Sequence, residues 1–156
     1  MRVSARVDYG IRALAQLAAL GGDGPVKADR IAEAQDIPVR FLLDILGDLR
    51  SQHVVRSQRG ADGGYTLARP ANEIALADVF RALEGPIATV HDLSLSDAEY
   101  PGAARALVDV WKAMRVSLRD VFERVTIADL ADGRLPDHVR RLAEAYDATT
   151  NPGTTP

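Results

Sequence analysis

From Arg59 to Tyr65 the chain reads Arg-Gly-Ala-Asp-Gly-Gly-Tyr. The backbone N–H groups of a glycine-rich loop can cradle a phosphate. That chemistry needs a strand before the loop and a helix N-terminus after it, and in nucleotide-binding enzymes also a lysine and a hydroxyl. Here Val54-Val55-Arg56-Ser57-Gln58 precedes the loop and Tyr65-Thr66-Leu67-Ala68 follows it, both strand-like in their alternation. Asp-Gly and Gly-Gly tolerate positive φ, so the pattern predicts a β-hairpin with Gly60, Gly63 and Gly64 at its tip. The hairpin ends a strip of cations: Leu49 to Ala61 holds Arg50, His53, Arg56 and Arg59 and no acidic residue. Such a strip suits contact with phosphate.

Other chemistries lack their residues. With no cysteine anywhere in the chain, disulfides, thiolate metal sites and cysteine nucleophiles are all excluded. His53, His91 and His138 have no metal-ligand spacing, and no nucleophile stands beside a base in a recognisable motif, so neither a metal site nor an enzyme is expected. The net charge of −3 is unevenly placed. Residues 1–70 hold ten Lys and Arg against eight Asp and Glu, or +2; residues 71–156 hold nine against fourteen, or −5. Beyond a Debye length of about 8 Å the acidic remainder does not cancel the local strip. No apolar run approaches the ~20 residues of a membrane span, so a soluble cytoplasmic protein with no membrane partner is expected. At 156 residues and 47 % hydrophobic content, one domain with a real core plus an accessory element is the expectation.

The elements that must carry the hairpin follow from spacing. Ser4 is placed to cap a first helix running to about Leu20, with Val7, Ile11, Leu14 and Ala18 on one face. Gly21 to Pro25 stops it, and Val26 can add one short strand. Ala28 to Gln35 reads as a small helix with Ile31, Ala32 and Ala34 on its apolar side. After the turn Asp36-Ile37-Pro38, a third helix runs from Pro38 to about Ser51, turning Leu42, Ile45, Leu46 and Leu49 inward. Val39, Arg40, Leu43, Asp44 and Gly47 lie on the opposite face. Two short helices joined by a tight turn and followed at once by a hairpin make a winged helix-turn-helix, whose second helix enters a major groove. Further on, Leu107, Trp111, Met114, Leu118, Val121 and Val125 are spaced 4, 3, 4, 3 and 4, and Phe122 broadens the face. That heptad-like seam predicts a dimerisation helix; the competing use is burial within the monomer. Thr126 with Asp129 signals a short helix, and Pro136 starts another that includes Val139, Leu142 and Tyr146. The expected fold is mainly α with a small β-hairpin wing. It divides into a winged helix-turn-helix domain over 1–86, a loop with dimerisation and C-terminal helices over 87–147, and a disordered tail over 148–156.

Five stretches carry a resemblance. "YGIRALAQLA" (9–18), "IAEAQDIPVRFLLDILGDLR" (31–50), "VRSQRGADGGYTLARP" (55–70), "IALADVFRALEGP" (74–86) and "TIADL" (126–130), with Trp111 in the long helix, follow in order the pattern of the Rrf-type regulators, the family of IscR and NsrR. The resemblance spans residues 1–147, and the wing is its most specific part. It implies a homodimeric transcription regulator that binds double-stranded DNA through helix three and the wing. The implied contact residues are Arg40, Leu43, Arg50, Arg56, Gln58, Arg59, Gly60, Gly63 and Gly64. Arg59 would reach a narrow minor groove while the glycines let the wing backbone come close. The family's base readers align with Pro38, Arg40, Phe41 and Leu43. Leu43 stands where a carboxylate would accept from cytosine, so the operator should differ, with thymine methyl as the contact open to leucine.

Iron–sulfur members of the family place three cysteines after the Glu-Gly-Pro. Residues 85–106 contain none, so no cofactor is expected. Asp8 occupies a position used as a carboxylate ligand in one branch, and here it is expected to pair with a nearby Arg. Residues 86–104, with Leu93, Leu95 and Tyr100 among Asp92, Asp97 and Glu99, form a long loop open to a small-molecule or protein effector, or else a plain tether. The functional expectation is a cluster-free homodimer on a pseudo-palindromic operator. The alternative is a winged-helix module that regulates by binding a partner protein.

Overall fold

The computed structural model describes residues 3–20, 22, 24–86 and 99–150. Helix α1 (Ala5–Leu20) begins where the Val7 N–H donates to Ser4 Oγ at 3.2 Å. It buries Val7, Gly10, Ala13, Leu14 and Leu17, with Ile11 and Ala18 at the margins of that face. α2 (Ala28–Gln35) ends at Asp36, whose left-handed backbone (φ 51°) turns its N–H onto the Ala32 and Glu33 carbonyls. Only Ile31 and Ala32 are buried on this short helix, and Ala34, expected on the apolar side, is exposed. α3 (Val39–Ser51) follows Pro38, whose carbonyl accepts from the Leu42 N–H at 3.0 Å, and turns Leu42, Ile45, Leu46 and Leu49 inward.

Strands β1 (Val55–Gln58) and β2 (Gly64–Leu67) pair antiparallel with Val55 opposite Leu67 and Gln58 opposite Gly64. Val26 adds a single bridge to Tyr65 through hydrogen bonds of 2.9 and 2.8 Å, so the connection between α1 and α2 is tied to the wing. A 3₁₀ turn (Ala71–Glu73) leads into α4 (Leu76–Glu84). Beyond a second 3₁₀ turn (Gly102–Ala104) come α5 (Leu107–Phe122), α6 (Ile127–Asp132) and α7 (Asp137–Thr150).

One hydrophobic cluster unites α1 (Leu14, Leu17), α2 (Ile31), α3, Val54, Val55, Ile74 and Val79, and it also takes in Ile127 of α6. Each such fully buried aliphatic side chain contributes about 1.5–3 kcal/mol relative to exposure. The chain returns from α5 by a bridge between Ala75 and Thr126. Leu76 N–H donates to the Val125 carbonyl, and Ile127 N–H to the Ile74 carbonyl, both at 2.9 Å. Ile127, which lies beyond residue 86, therefore shares the core of the preceding segment. Thr126 caps α6 as its sequence foretells: Asp129 N–H donates to Thr126 Oγ1 at 3.2 Å and Thr126 N–H donates to Asp129 Oδ2 at 2.7 Å.

Helix α5 contains no fully buried residue. It leans on the domain through Leu118 and through Phe122, whose ring lies 5.1 Å from that of Phe80. Val125, placed on the dimer seam by its spacing, lies past the end of α5 and is 2 % exposed. It is consumed by the monomer's own core, because the heptad count runs on after the helix has turned. Ala148 to Thr150, expected in a disordered tail, continue α7, and the rest of that tail lies outside the described residues. So does most of the expected effector loop, residues 87–98.

Candidate nucleic-acid interface

The outward face of α3 carries Val39, Arg40, Phe41, Leu43 and Asp44, all exposed. Its position is fixed from behind. The Phe41 ring meets that of Tyr9 edge-on at 5.7 Å, and the Arg12 guanidinium lies 5.4 Å from the Tyr9 ring centre. Arg12 in turn donates to Asp8 Oδ2 at 3.2 Å and to the side chain and carbonyl of Gln35, while Gln35 Nε2 donates to Gln16 Oε1 at 2.7 Å. An ion pair between Arg6 and Asp48 ties α1 to α3 a second time. Asp8 thus pairs with an arginine, as expected. Phe41, aligned with a family reader, is partly engaged in holding α3 against α1.

Arg50 donates through Nη1 to Ser57 Oγ at 3.3 Å and so bridges the end of α3 to β1. Along β1, Val55 turns inward while Arg56, Ser57 and Gln58 are exposed, as are Arg59, Gly60, Ala61 and Asp62 at the tip. The wing cations and the α3 face are therefore all open to solvent and joined by Arg50.

The glycines divide in their use. Gly60 has φ +106° and no heavy atom within 4 Å of a Cβ placed there, so it is open and conformationally required. Gly63 is buried. A Cβ there would fall on the Gln58 carbonyl oxygen and within 2.9 Å of the Gly60 oxygen. One at Gly64 would lie 2.5 Å from the Val26 carbonyl oxygen. Gly63 and Gly64 are thus demanded by closure of the hairpin and by its bridge to Val26. Close approach by an outside backbone is not needed to account for them.

Two cations escaped sequence reasoning. Lys27 and Arg30, at the start of α2, line a cleft of about 460 Å³ together with Pro25, Ala61, Asp62 and Gly63 of the wing tip. The only signal was indirect: Lys27 follows Val26, and a strand at Val26 had to pair with something.

A second arrangement links the domain to α5. Glu123 accepts from Arg81 Nη2 at 2.7 Å and from Arg119 Nε and Nη2 at 2.9 and 3.2 Å. Hydrogen bonding to Arg119, above all, holds the Glu123 carboxyl below its ordinary range, with Arg81 adding to the effect. Next to it, Arg81, Arg115 and Arg119 with Gly85 and Pro86 line a cleft of about 460 Å³ between α4 and α5.

A helix-turn-helix braced on α1, with a glycine-tipped wing and cations on its open side, defines the winged helix-turn-helix class of transcriptional regulator. The Rrf2 family profile, described as an iron-dependent transcriptional regulator, matches residues 3–133, and the chain belongs to that family as a cysteine-free member. A Mycobacterium tuberculosis protein named as an HTH-type transcriptional regulator, Rv1287, is 51 % identical over 95 % of this chain and 92 % of its own. The HTH-type transcriptional regulator CymR of Bacillus subtilis is 33 % identical over 84 % of this chain and 90 % of its own. Among solved structures, that of CymR, titled the global cysteine regulator of B. subtilis, superposes with a TM-score of 0.68 at 30 % identity, covering 85 % of this chain and 97 % of its own. The IscR of T. potens superposes with a TM-score of 0.64 at 32 % identity, covering 93 % and 90 %. These relatives are regulators and not enzymes.

The described residues do not fit the iron of the family's description. No thiolate exists in the chain, no group of three His, Asp or Glu able to hold a metal occurs among the described residues, and the Asp8 carboxylate is bonded to Arg12. Among the described residues no helix is long and apolar enough to cross a membrane.

Proposed function

We propose that two copies of this chain bind a pseudo-palindromic DNA duplex without iron, each inserting α3 into a major groove and laying its wing on the adjacent backbone. The observation that carries this is the exposure of Arg40, Leu43, Arg50, Arg56, Gln58, Arg59 and Gly60 on two elements, α3 and the wing, that the Arg50–Ser57 hydrogen bond joins at their corner. Lys27 and Arg30 extend the same surface to the start of α2. Arg and Lys on phosphate supply affinity, and α3 side chains on base edges supply sequence choice.

Dimerisation is supported by the unfinished burial of α5. Leu107, Trp111, Leu118, Val121 and Phe122 are only half-buried and Met114 is 39 % exposed, although their spacing makes one apolar face. Trp111 donates its indole N–H to Tyr100 Oη at 3.2 Å, which satisfies the polar atom and leaves the ring for packing. A two-fold dimer then sets half-sites whole helical turns apart, roughly 10 base pairs or a multiple.

In this proposal residues 86–104 receive a small-molecule or protein effector, supported by the arginine-lined cleft beside Gly85 and Pro86. Replacing Leu93 to Glu99 by a glycine-serine linker of equal length should abolish induction in cells while operator affinity is kept; unchanged regulation contradicts the effector role. Selection from random duplexes by chelator-treated protein tests the DNA-binding role. A symmetric site should emerge, and failure to enrich any sequence contradicts the proposal.

A further inference from the structure

The cleft of about 460 Å³ between α4 and α5 gathers more positive charge than the chain answers. Arg81 of α4 and Arg115 and Arg119 of α5 line it, with Gly85 and Pro86. Arg115 and Arg119 stand one turn apart on α5, a spacing at which like charges repel. Glu123 accepts from both Arg81 and Arg119. Asp78 lies 3.4 Å from Arg81 but is held more closely by Arg69, at 2.7 Å. Arg115 is partly buried and has neither a hydrogen bond nor an ion pair among the described residues. Three guanidiniums against the one carboxylate of Glu123 leave the cleft an excess of two positive charges.

The donors needed to hold an anion are also left over. A guanidinium presents five N–H groups in a flat fork that matches a carboxylate or a phosphoryl group. Glu123 engages Nε and Nη2 of Arg119 and Nη2 of Arg81, so both keep N–H groups to give, and Arg115 keeps all of its own. The volume is that of a small-molecule site, which spans roughly 300–1,000 Å³.

We propose that this cleft binds a small dianion, a phosphoryl or dicarboxylate compound, through Arg81, Arg115 and Arg119. The proposal rests on the effector reading above and deepens it to the chemistry of the ligand. Arg81 belongs to the helix that packs on α1 and α3, whereas Arg115 and Arg119 belong to the proposed dimer helix. A ligand held by all three favours one setting of α4 against α5, and that preference is what can alter operator affinity.

The test uses the full chain in chloride buffer, titrated calorimetrically with inorganic phosphate above its second pKa, with succinate, and with acetate as a singly charged control. At least one of the two dianions should bind saturably at one per chain, and which of them binds separates phosphoryl from dicarboxylate. Acetate should bind roughly tenfold more weakly, and Arg115→Gln should lose roughly tenfold for the dianion, since a charge-assisted pair is removed in each case. Arg124→Gln, which removes a cation paired with Asp120 outside the cleft, should bind as the wild type does. No saturable binding of either dianion would overturn the proposal, as would equal losses in Arg115→Gln and Arg124→Gln. Weaker duplex binding by Arg115→Gln with no dianion present would also overturn it, making the cleft a contact for DNA phosphate. Dianion binding that leaves operator affinity unchanged upholds the site and removes the effector reading, so the two failures are told apart.

Discussion

The helix-turn-helix core and α5 use their apolar residues in opposite ways. In the core, Leu14, Leu42, Ile45, Leu46 and Leu49 are completely buried by neighbours within one chain. In α5 an equally regular apolar face reaches Phe80 and its surroundings and leaves Met114 exposed, with Val110 in solvent at its margin. The two faces are built by the same periodic rule. Their difference lies in how many surfaces the chain itself provides to cover them. In the dimer proposed above, a second copy would finish the α5 seam and account for its half-burial.

This contrast can be broken by substitution. Leu46→Ala should have the largest effect, lowering stability by about 2–5 kcal/mol in urea unfolding at fixed protein concentration, because the cavity lies where no partner can fill it. A loss below about 1 kcal/mol would mean that the core is looser than its burial indicates. Met114→Asp should leave the helical circular dichroism intact yet turn dimers into monomers in sedimentation velocity and weaken operator binding. Retention of the dimer would remove α5 from the interface. Arg59→Ala should reduce operator affinity roughly tenfold and lower the salt slope by about one, since one cation leaves the phosphate contact. An unchanged slope would return Arg59 to solvent. Thr126→Ala should cost about 1 kcal/mol through loss of the α6 cap, a small effect because the helix is also held by Ile127.

The smallest effect is on pH dependence. The folded-state pKa of Glu123 is depressed, so its contribution is present above the unfolded carboxylate value of about 4.3 and is lost as pH falls through the lower folded value. Glu123→Gln should remove that part of the acid dependence without shifting the neutral-pH dimer equilibrium. Unaltered acid unfolding would show that the clamp between α4 and α5 contributes nothing measurable.

Local signals were legible in the sequence, and long-range ones were not. α2 runs from Ala28 to Gln35 and α3 buries Leu42, Ile45, Leu46 and Leu49, both as spacing indicates, because one helix face records burial every three or four residues. The hairpin was equally readable from Asp-Gly and Gly-Gly. The particular need for Gly64 was hidden, since it arises from the Val26 carbonyl, a contact between residues far apart in the chain. Ile127 joined the first domain's core for the same kind of reason: a bridge between Ala75 and Thr126 brings it back. Val125 keeps the heptad spacing yet lies beyond the end of α5, because spacing alone does not mark where a helix stops. Lys27 and Arg30 stand outside the cationic strip of the chain and come to the wing only because its tip folds back onto the start of α2.

The most direct test of the central claim is sedimentation equilibrium of chelator-treated protein at micromolar concentration, alone and with its selected duplex. The account predicts a dimer in both cases, with two chains on one duplex and symmetric half-sites. Metal-free protein that sediments as a monomer, or that binds the duplex as a single chain, would contradict it.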